Sequence, residues 1–142
     1  KSLGAIVKSG TRPIQGVLEY TDRVASERGL WIKDTPGREP EILTGMAATG
    51  AQLMLFSTGR GAPQGFPSMP VIKICSNPNT YEQMENDMDL NAGVIIKGEK
   101  SIDEVGEEAF KKLISVLSGE MTKNEAIQYT SSIDIHCLGP VI

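Results

Sequence analysis

The segment Ser57-Thr-Gly-Arg-Gly61 sets a guanidinium between two glycines, directly after the apolar run Ala51 to Phe56. Glycine has no Cβ, so the backbone can turn sharply there and another group can come close. An arginine so placed offers a planar fork of donors to a carboxylate or phosphate. A tight turn with a solvated arginine would be spelled the same way. A second set of candidates is Asp87-Met-Asp-Leu-Asn-Ala-Gly93. Asp87, Asp89 and Asn91 alternate there with apolar residues, the pattern of an extended segment with one polar face. Oxygen ligands at that spacing suit a hard divalent cation, although the Gly and Glu of an EF-hand loop are missing. Two acids on one face repel each other unless something cationic sits opposite, either Arg60 or a metal. The alternative is a polar turn with Asn91 or Gly93 in the left-handed region.

The remaining titratable candidates carry weaker signals. Asp34, before Thr35-Pro-Gly37, reads either as a ligand-binding carboxylate or as an Asx turn. His136 is the single histidine, in a short apolar run near the end, and reads as a structural group rather than a base or metal ligand. Lys8 and Lys73 could act as bases only where desolvated. Cys75 and Cys137 stand far apart in apolar runs. They read as two buried thiols in a reducing, cytoplasmic compartment, with a disulfide between neighbouring strands as the other possibility. There is no Ser-His-Asp pattern, P-loop or zinc spacing, and Gly59-x-Gly61 lacks the third glycine of a dinucleotide fingerprint.

The elements that must position these residues alternate between strand and helix. Ser2 to Lys8 reads as a short helix and Gly10 to Pro13 as a turn; Ile14 to Tyr20 fits helix or strand. Gly29 to Asp34 is a strand, Pro40 opens a helix that runs to Thr49, and Gly50 stops it. Ala51 to Ser57 is the next strand, so this stretch predicts a βαβ unit with a right-handed crossover. Residues 58–70 hold three glycines and three prolines, which predicts a long functional loop. Val71 to Cys75 and Val94 to Ile96 read as strands, with a short helix capped by Asn79 between them. Ser101-Ile-Asp-Glu104 is a capping box. The helix after it is expected to bury Ile102, Val105, Ala109, Phe110, Leu113, Ile114 and Leu117, and to end at Gly119. Thr122-Lys-Asn-Glu125 caps a further short helix, and Ile133 to Cys137 reads as a last strand. The fold class is α/β, a three-layer, mostly parallel Rossmann-like sheet with helices on both faces, in one domain spanning 1–142. In such a sheet the first two turns share an edge. The Asp87 turn, placed before its strand, joins them only if its loop reaches over or that strand is antiparallel.

Composition narrows the function. The chain has 142 residues, 39% hydrophobic and 23% charged, with a net charge of −4. That is enough chain for one real core and fits a globular protein. The absence of a basic run argues against nucleic acid, and no apolar run is long enough to span a bilayer. The chain opens on Lys1, in a segment that reads as already under way, so it is taken as a piece of a longer protein.

Taken in order, SLGAIVKSG (2–10), PIQGVLEY (13–20), DTPG (34–37), LMLFSTGRGAPQG (53–65), PVIKICSN (70–77) and DMDLNAG (87–93) resemble the C-terminal part of the altronate/galactarate dehydratase family. The resemblance implies a hydro-lyase that removes water from a hexarate or hexonate sugar acid to give a 2-keto-3-deoxy acid. It implies a divalent metal, iron or manganese. A sulfolactate sulfo-lyase belongs to the same family, so the leaving group need not be water. On this basis Arg60, with Thr58, Gly59, Gly61 and Asn91, is expected to bind substrate, and Asp87 or Asp89 to ligate the metal. No general base is evident, so it is expected from an upstream domain of the same polypeptide, and the isolated chain is expected to be inactive. The sugar acid and that domain are the expected partners, with a homo-oligomer left open. A non-catalytic module that captures a carboxylate or phosphate is the competing reading.

Overall fold

The computed structural model describes residues 4, 7–24, 28–129 and 133–137. Most of the helix expected over Ser2 to Lys8 lies outside them; Val7–Ser9 form one 3-10 turn. The segment open between helix and strand is strand β1, Ile14–Leu18. It pairs in parallel with β2, Leu30–Lys33, with a register shift between Ile14 and Gly16. Helix α1, Glu39–Thr49, follows. Pro40 fits its first turn because no N–H is needed there, and Glu39 and Glu41 suit the positive end of the helix dipole. Gly50 ends it at φ 100°, a left-handed cap that other residues adopt only at a cost.

Strands β3 (Met54–Thr58), β4 (Val71–Cys75) and β5 (Leu90–Asn91) form a second sheet in that order, every pairing parallel. The chain is therefore α/β and Rossmann-like, with its parallel strands divided between two small sheets. This corrects one expectation: β2 pairs with β1, not with β3, so β2–α1–β3 is not a unit of a single sheet. β4 is the central strand, and residues of both parities are buried along it, Val71, Ile72, Lys73 and Cys75. A strand hidden on both faces is what a covered parallel sheet requires. Leu43 of α1, Met69 and Val71 form the core, with Met46, Met54, Phe56 and Phe66 packed around them.

Helix α2, Pro78–Gln83, lies between β4 and β5, and its cap is Asn77, not Asn79. The Asn77 side chain accepts from the N–H groups of Asn79 and Thr80, while Pro78 takes the first helical position. Val94 to Ile96 is not a strand: Gly93–Ile96 form a helical turn, α3, and the pairing edge is already taken by Leu90–Asn91. Ile133 to Cys137 is likewise not a strand, and Cys137 is exposed rather than buried; both cysteines are free thiols.

Helix α4, Ile102–Leu117, carries the expected capping box. Its register against the domain differs from the expected one. Val105 and Val116 are buried, whereas Ile102 and Phe110 are 73% and 63% exposed, and Ile114 and Leu117 are also exposed. The helix has an apolar stripe, but the domain covers only its margin. Helix α5, Lys123–Ala126, is the last element.

Gly93 shows why a residue without a side chain is needed after Asn91. A Cβ there would sit 2.5 Å from the Pro78 backbone nitrogen. Gly93→Ala is expected to lower the free energy of unfolding by about 1–3 kcal/mol, as overpacking does. Urea denaturation measures this, and an unchanged midpoint would mean that the contact relaxes freely.

Candidate functional site at the carboxyl ends of the parallel strands

The strand registers bring two expected site residues, Thr58 and Asn91, into one row through Cys75. Thr58 stands opposite Cys75, and Cys75 opposite Asn91. Because β5 lies within the Asp87 turn and runs parallel to β4, Asn91 ends a strand and Gly93 follows it. They share the carboxyl edge with Thr58 to Gly61, without a long loop or a reversed strand. Backbone bonds knit this edge: Ser76 N–H donates to the Thr58 carbonyl (3.0 Å), and Ala92 N–H to the Cys75 carbonyl (2.8 Å). Asn91 Oδ1 accepts from Gly93 N–H at 2.9 Å, which leaves the amide nitrogen as the donating end.

Arg60 projects from this edge. It is exposed and has no ion pair or hydrogen bond among the described residues. Gly61 takes φ 72° beside it, with Met84 and Thr80 so close that a Cβ would touch them at 3.0 and 3.1 Å. The Thr58 hydroxyl is buried and has no partner among the described residues. This edge therefore carries a free guanidinium, an unpaired hydroxyl and an amide, donor groups of the kind that receive an anion.

Asp89 is engaged in the interior. Asp89 Oδ2 accepts from Lys73 Nζ at 2.6 Å and from Lys73 N–H at 2.8 Å, and its Oδ1 accepts from Lys123 N–H at 2.8 Å. The Lys73 and Asp89 side chains are 1% and 0% exposed. The cation that the alternating acids require is therefore Lys73. Burial pulls its ammonium below the ordinary lysine range, while the Asp89 contact and the nearby Asp87 charge oppose that pull. Asp89 does not fit the metal-ligand role expected of it, since both its oxygens are engaged and an ammonium stands where a cation would have to sit. Asp87, half-buried nearby, is then one carboxylate without a second. Among the described residues no three His, Cys, Asp or Glu side chains gather as a metal-holding group. Lys73 is desolvated as a base would need, but it is sealed from any substrate, and Lys8 is exposed.

A second constellation lies at the carboxyl ends of β1 and β2. A cleft of about 570 Å³ is lined by Tyr20, Asp34, Thr35, Pro36, Ile135 and His136, among others. The Asp34 carboxylate has no hydrogen bond among the described residues, so the Asx turn is not formed. His136 Nδ1 lies 3.4 Å from Glu41 Oε2. The His136 ring meets Tyr20 edge-on at 5.1 Å, and the Tyr20 hydroxyl donates to the Glu41 carbonyl at 2.6 Å. Burial and the Glu41 charge push the Tyr20 phenol up, opposed by the His136 backbone N–H. Sequence spacing gave no sign of this grouping. A faint signal is Gly45, one turn after Glu41: a Cβ there would meet the Tyr20 ring at 2.4 Å.

Parallel strands with an unpaired arginine and hydroxyl at their carboxyl edge place the chain in the open α/β class, whose ligands bind at that edge. Comparison with known proteins is more specific. The family model described as D-galactarate/Altronate dehydratase, C-terminal, matches residues 1–138, and the chain belongs to this family. It is 38% identical to the galactarate dehydratase (L-threo-forming) of Escherichia coli strain K12 over 120 residues, 84% of this chain and 23% of that protein. It is 34% identical to the altronate dehydratase of Bacillus subtilis strain 168 over 125 residues, 88% of this chain and 25% of that protein. It is also 34% identical to the (2R)-sulfolactate sulfo-lyase subunit beta of Chromohalobacter salexigens, covering 89% of this chain and 33% of that subunit. The chain thus spans about a quarter to a third of the curated relatives it matches. No helix among the described residues is long and apolar enough to cross a membrane.

The buried pair yields a direct expectation. Asp89→Asn leaves the Lys73 ammonium buried without its counter-charge, a change that costs about 3–5 kcal/mol in comparable pairs. Thermal unfolding of that variant should show a large loss of stability. A melting temperature within a degree or two of the parent, on the order of the shift from a surface change, would contradict the structural role.

Proposed function

We propose that this chain is the substrate-carboxylate-binding portion of a longer, cytoplasmic sugar-acid dehydratase. The observation that carries the reading is Arg60, free and exposed at the same carboxyl edge that holds the unpaired Thr58 hydroxyl and Asn91. Dehydration of a 2,3-dihydroxy acid removes the proton beside the carboxylate and expels the β-hydroxyl. Negative charge builds on the carboxylate as the enediolate forms, so a preorganised cation and donors there are worth most at the transition state. In this reading Arg60 grips the carboxylate with two donors, Thr58 and the Gly59 and Gly61 amides add hydrogen bonds, and the Asn91 amide reaches a substrate hydroxyl. The substrate is a hexarate or hexonate, by likeness to the relatives named above.

A divalent metal, iron or manganese, would supply Lewis acidity in such an enzyme. Its ligands are assigned to the rest of the polypeptide, because Asp89 is committed to Lys73. The uncovered apolar stripe of α4 supports a neighbouring portion of chain packed against this one. The likeness to the sulfo-lyase subunit favours one further possibility, the same carboxylate grip with sulfite as the leaving group.

Arg60→Lys keeps the charge and loses the fork. In the full-length polypeptide acting on galactarate or altronate, kcat/KM is expected to fall by roughly 10- to 100-fold, the equivalent of about 1.5–3 kcal/mol for hydrogen bonds to a charged group. Unchanged kcat/KM would return Arg60 to the status of a solvated turn residue.

A further inference from the structure

Among the described residues, the buried carboxylates Glu41 and Asp89 are held in opposite ways. Asp89 is saturated by N–H donors at 2.6–2.8 Å and shut away from solvent, which is how a structural ion pair is built. Glu41 is buried too, but its Oε2 has no hydrogen bond among the described residues. It faces only His136 Nδ1 at 3.4 Å, and the Arg38 guanidinium stands 3.9 Å from its other oxygen. The His136 side chain is 26% exposed and borders the cleft of about 570 Å³, whose lining includes Asp34 and Thr35. That volume suits a small polyhydroxylated acid, since small-molecule pockets span about 300–1,000 Å³.

We infer that His136 is the general base of this enzyme, with Glu41 as its positioning residue. The inference rests on the dehydratase reading, supplies the group that reading lacks, and requires the sugar acid gripped by Arg60 to reach from that edge into this cleft, whose lining does not include Arg60. Glu41 beside Nδ1 favours the tautomer with the proton on Nδ1, which leaves Nε2 with a free lone pair for the substrate. The Tyr20 ring and the His136 backbone contact hold the segment in place. A pair at 3.4 Å without substrate is long, as catalytic hydrogen bonds often are before the reactant tightens them.

The step balances without an oxidant or co-reactant. Nε2 takes the C–H proton beside the substrate carboxylate, and that C–H electron pair becomes the enediolate double bond. The β C–O bond then breaks, and the hydroxyl leaves as water with the proton carried by the imidazolium. The resulting enol tautomerises to the 2-keto-3-deoxy acid. The charged and titratable groups around the cluster of His136, Tyr20 and Glu41 are Arg38 beside Glu41, Lys33 over the Tyr20 ring, and Glu19 and Asp34 lining the cleft. Asp34, exposed across the cleft, is placed to hold a substrate hydroxyl rather than to share the proton.

The test uses the full-length polypeptide with galactarate and altronate as probes. His136→Gln is expected to lower kcat by about 10²–10⁴-fold, the usual contribution of a positioned base, with KM within a few fold. His136→Ala should regain part of its turnover in added imidazole, saturably, which a purely structural role would not allow. Glu41→Gln should lower kcat in the same direction by a smaller factor. His136→Gln that keeps kcat within about threefold of the parent would overturn the inference while leaving the Arg60 reading intact. So would a loss that imidazole does not restore in a variant as stable as the parent. No turnover of either acid by the parent enzyme would overturn the dehydratase reading and this assignment with it.

Discussion

The Lys73–Asp89 pair is the constraint on which the layout of the larger sheet depends. Lys73 sits in the middle of the central strand, where a charged side chain is tolerated only with a partner at close range. Asp89 supplies that partner and also accepts from the Lys73 backbone, in the register step before Leu90 pairs with Ile74. The same carboxylate takes the N–H of Lys123, so the start of α5 is fastened to the same point. One buried carboxylate thereby fixes how β5 lies against β4. With β5 placed, Asn91 and Gly93 have nowhere to go but the carboxyl edge.

That edge explains why so short a strand matters. Two paired residues add little burial, yet they carry the chain from the interior acid at Asp89 to the surface amide at Asn91. The tight contact of Gly93 with Pro78 then draws the starts of α2 and α3 together beside the Arg60 loop. The loop itself is no free appendage: Ala62 and Met69 are buried within it, and Asn124 of α5 donates to the Pro63 carbonyl. Arg60 extends from a packed base. A guanidinium on such a base loses less conformational freedom when it binds an anion than one on a mobile loop.

Much of this was legible in the residues. The strands at 30–33, 54–58 and 71–75, the helix stopped by Gly50 and the box at Ser101 all follow from local chemistry that the tertiary structure does not override. The failures share a cause. Val94-Ile-Ile96 has strand composition, but the pairing edge was already used by Leu90–Asn91, and strand propensity yields to such context. The stripe on α4 is plain in the sequence, yet periodicity gives a face and not the partner that covers it. Asp87 and Asp89 were visible as acids needing a cation. That the cation is Lys73 depends on a pairing between distant segments. Tyr20, Glu41 and His136 meet only through the fold, so spacing was silent about them.

The central claim is that Arg60 at the carboxyl edge of β3 receives the carboxylate of a sugar acid. A crystal structure of the full-length polypeptide with bound galactarate measures it most directly. The account predicts one substrate carboxylate within hydrogen-bonding distance of two Arg60 nitrogens, with the Thr58 hydroxyl or the Asn91 amide also in contact. A bound galactarate with both carboxylates held elsewhere, and Arg60 still in open solvent, would contradict it.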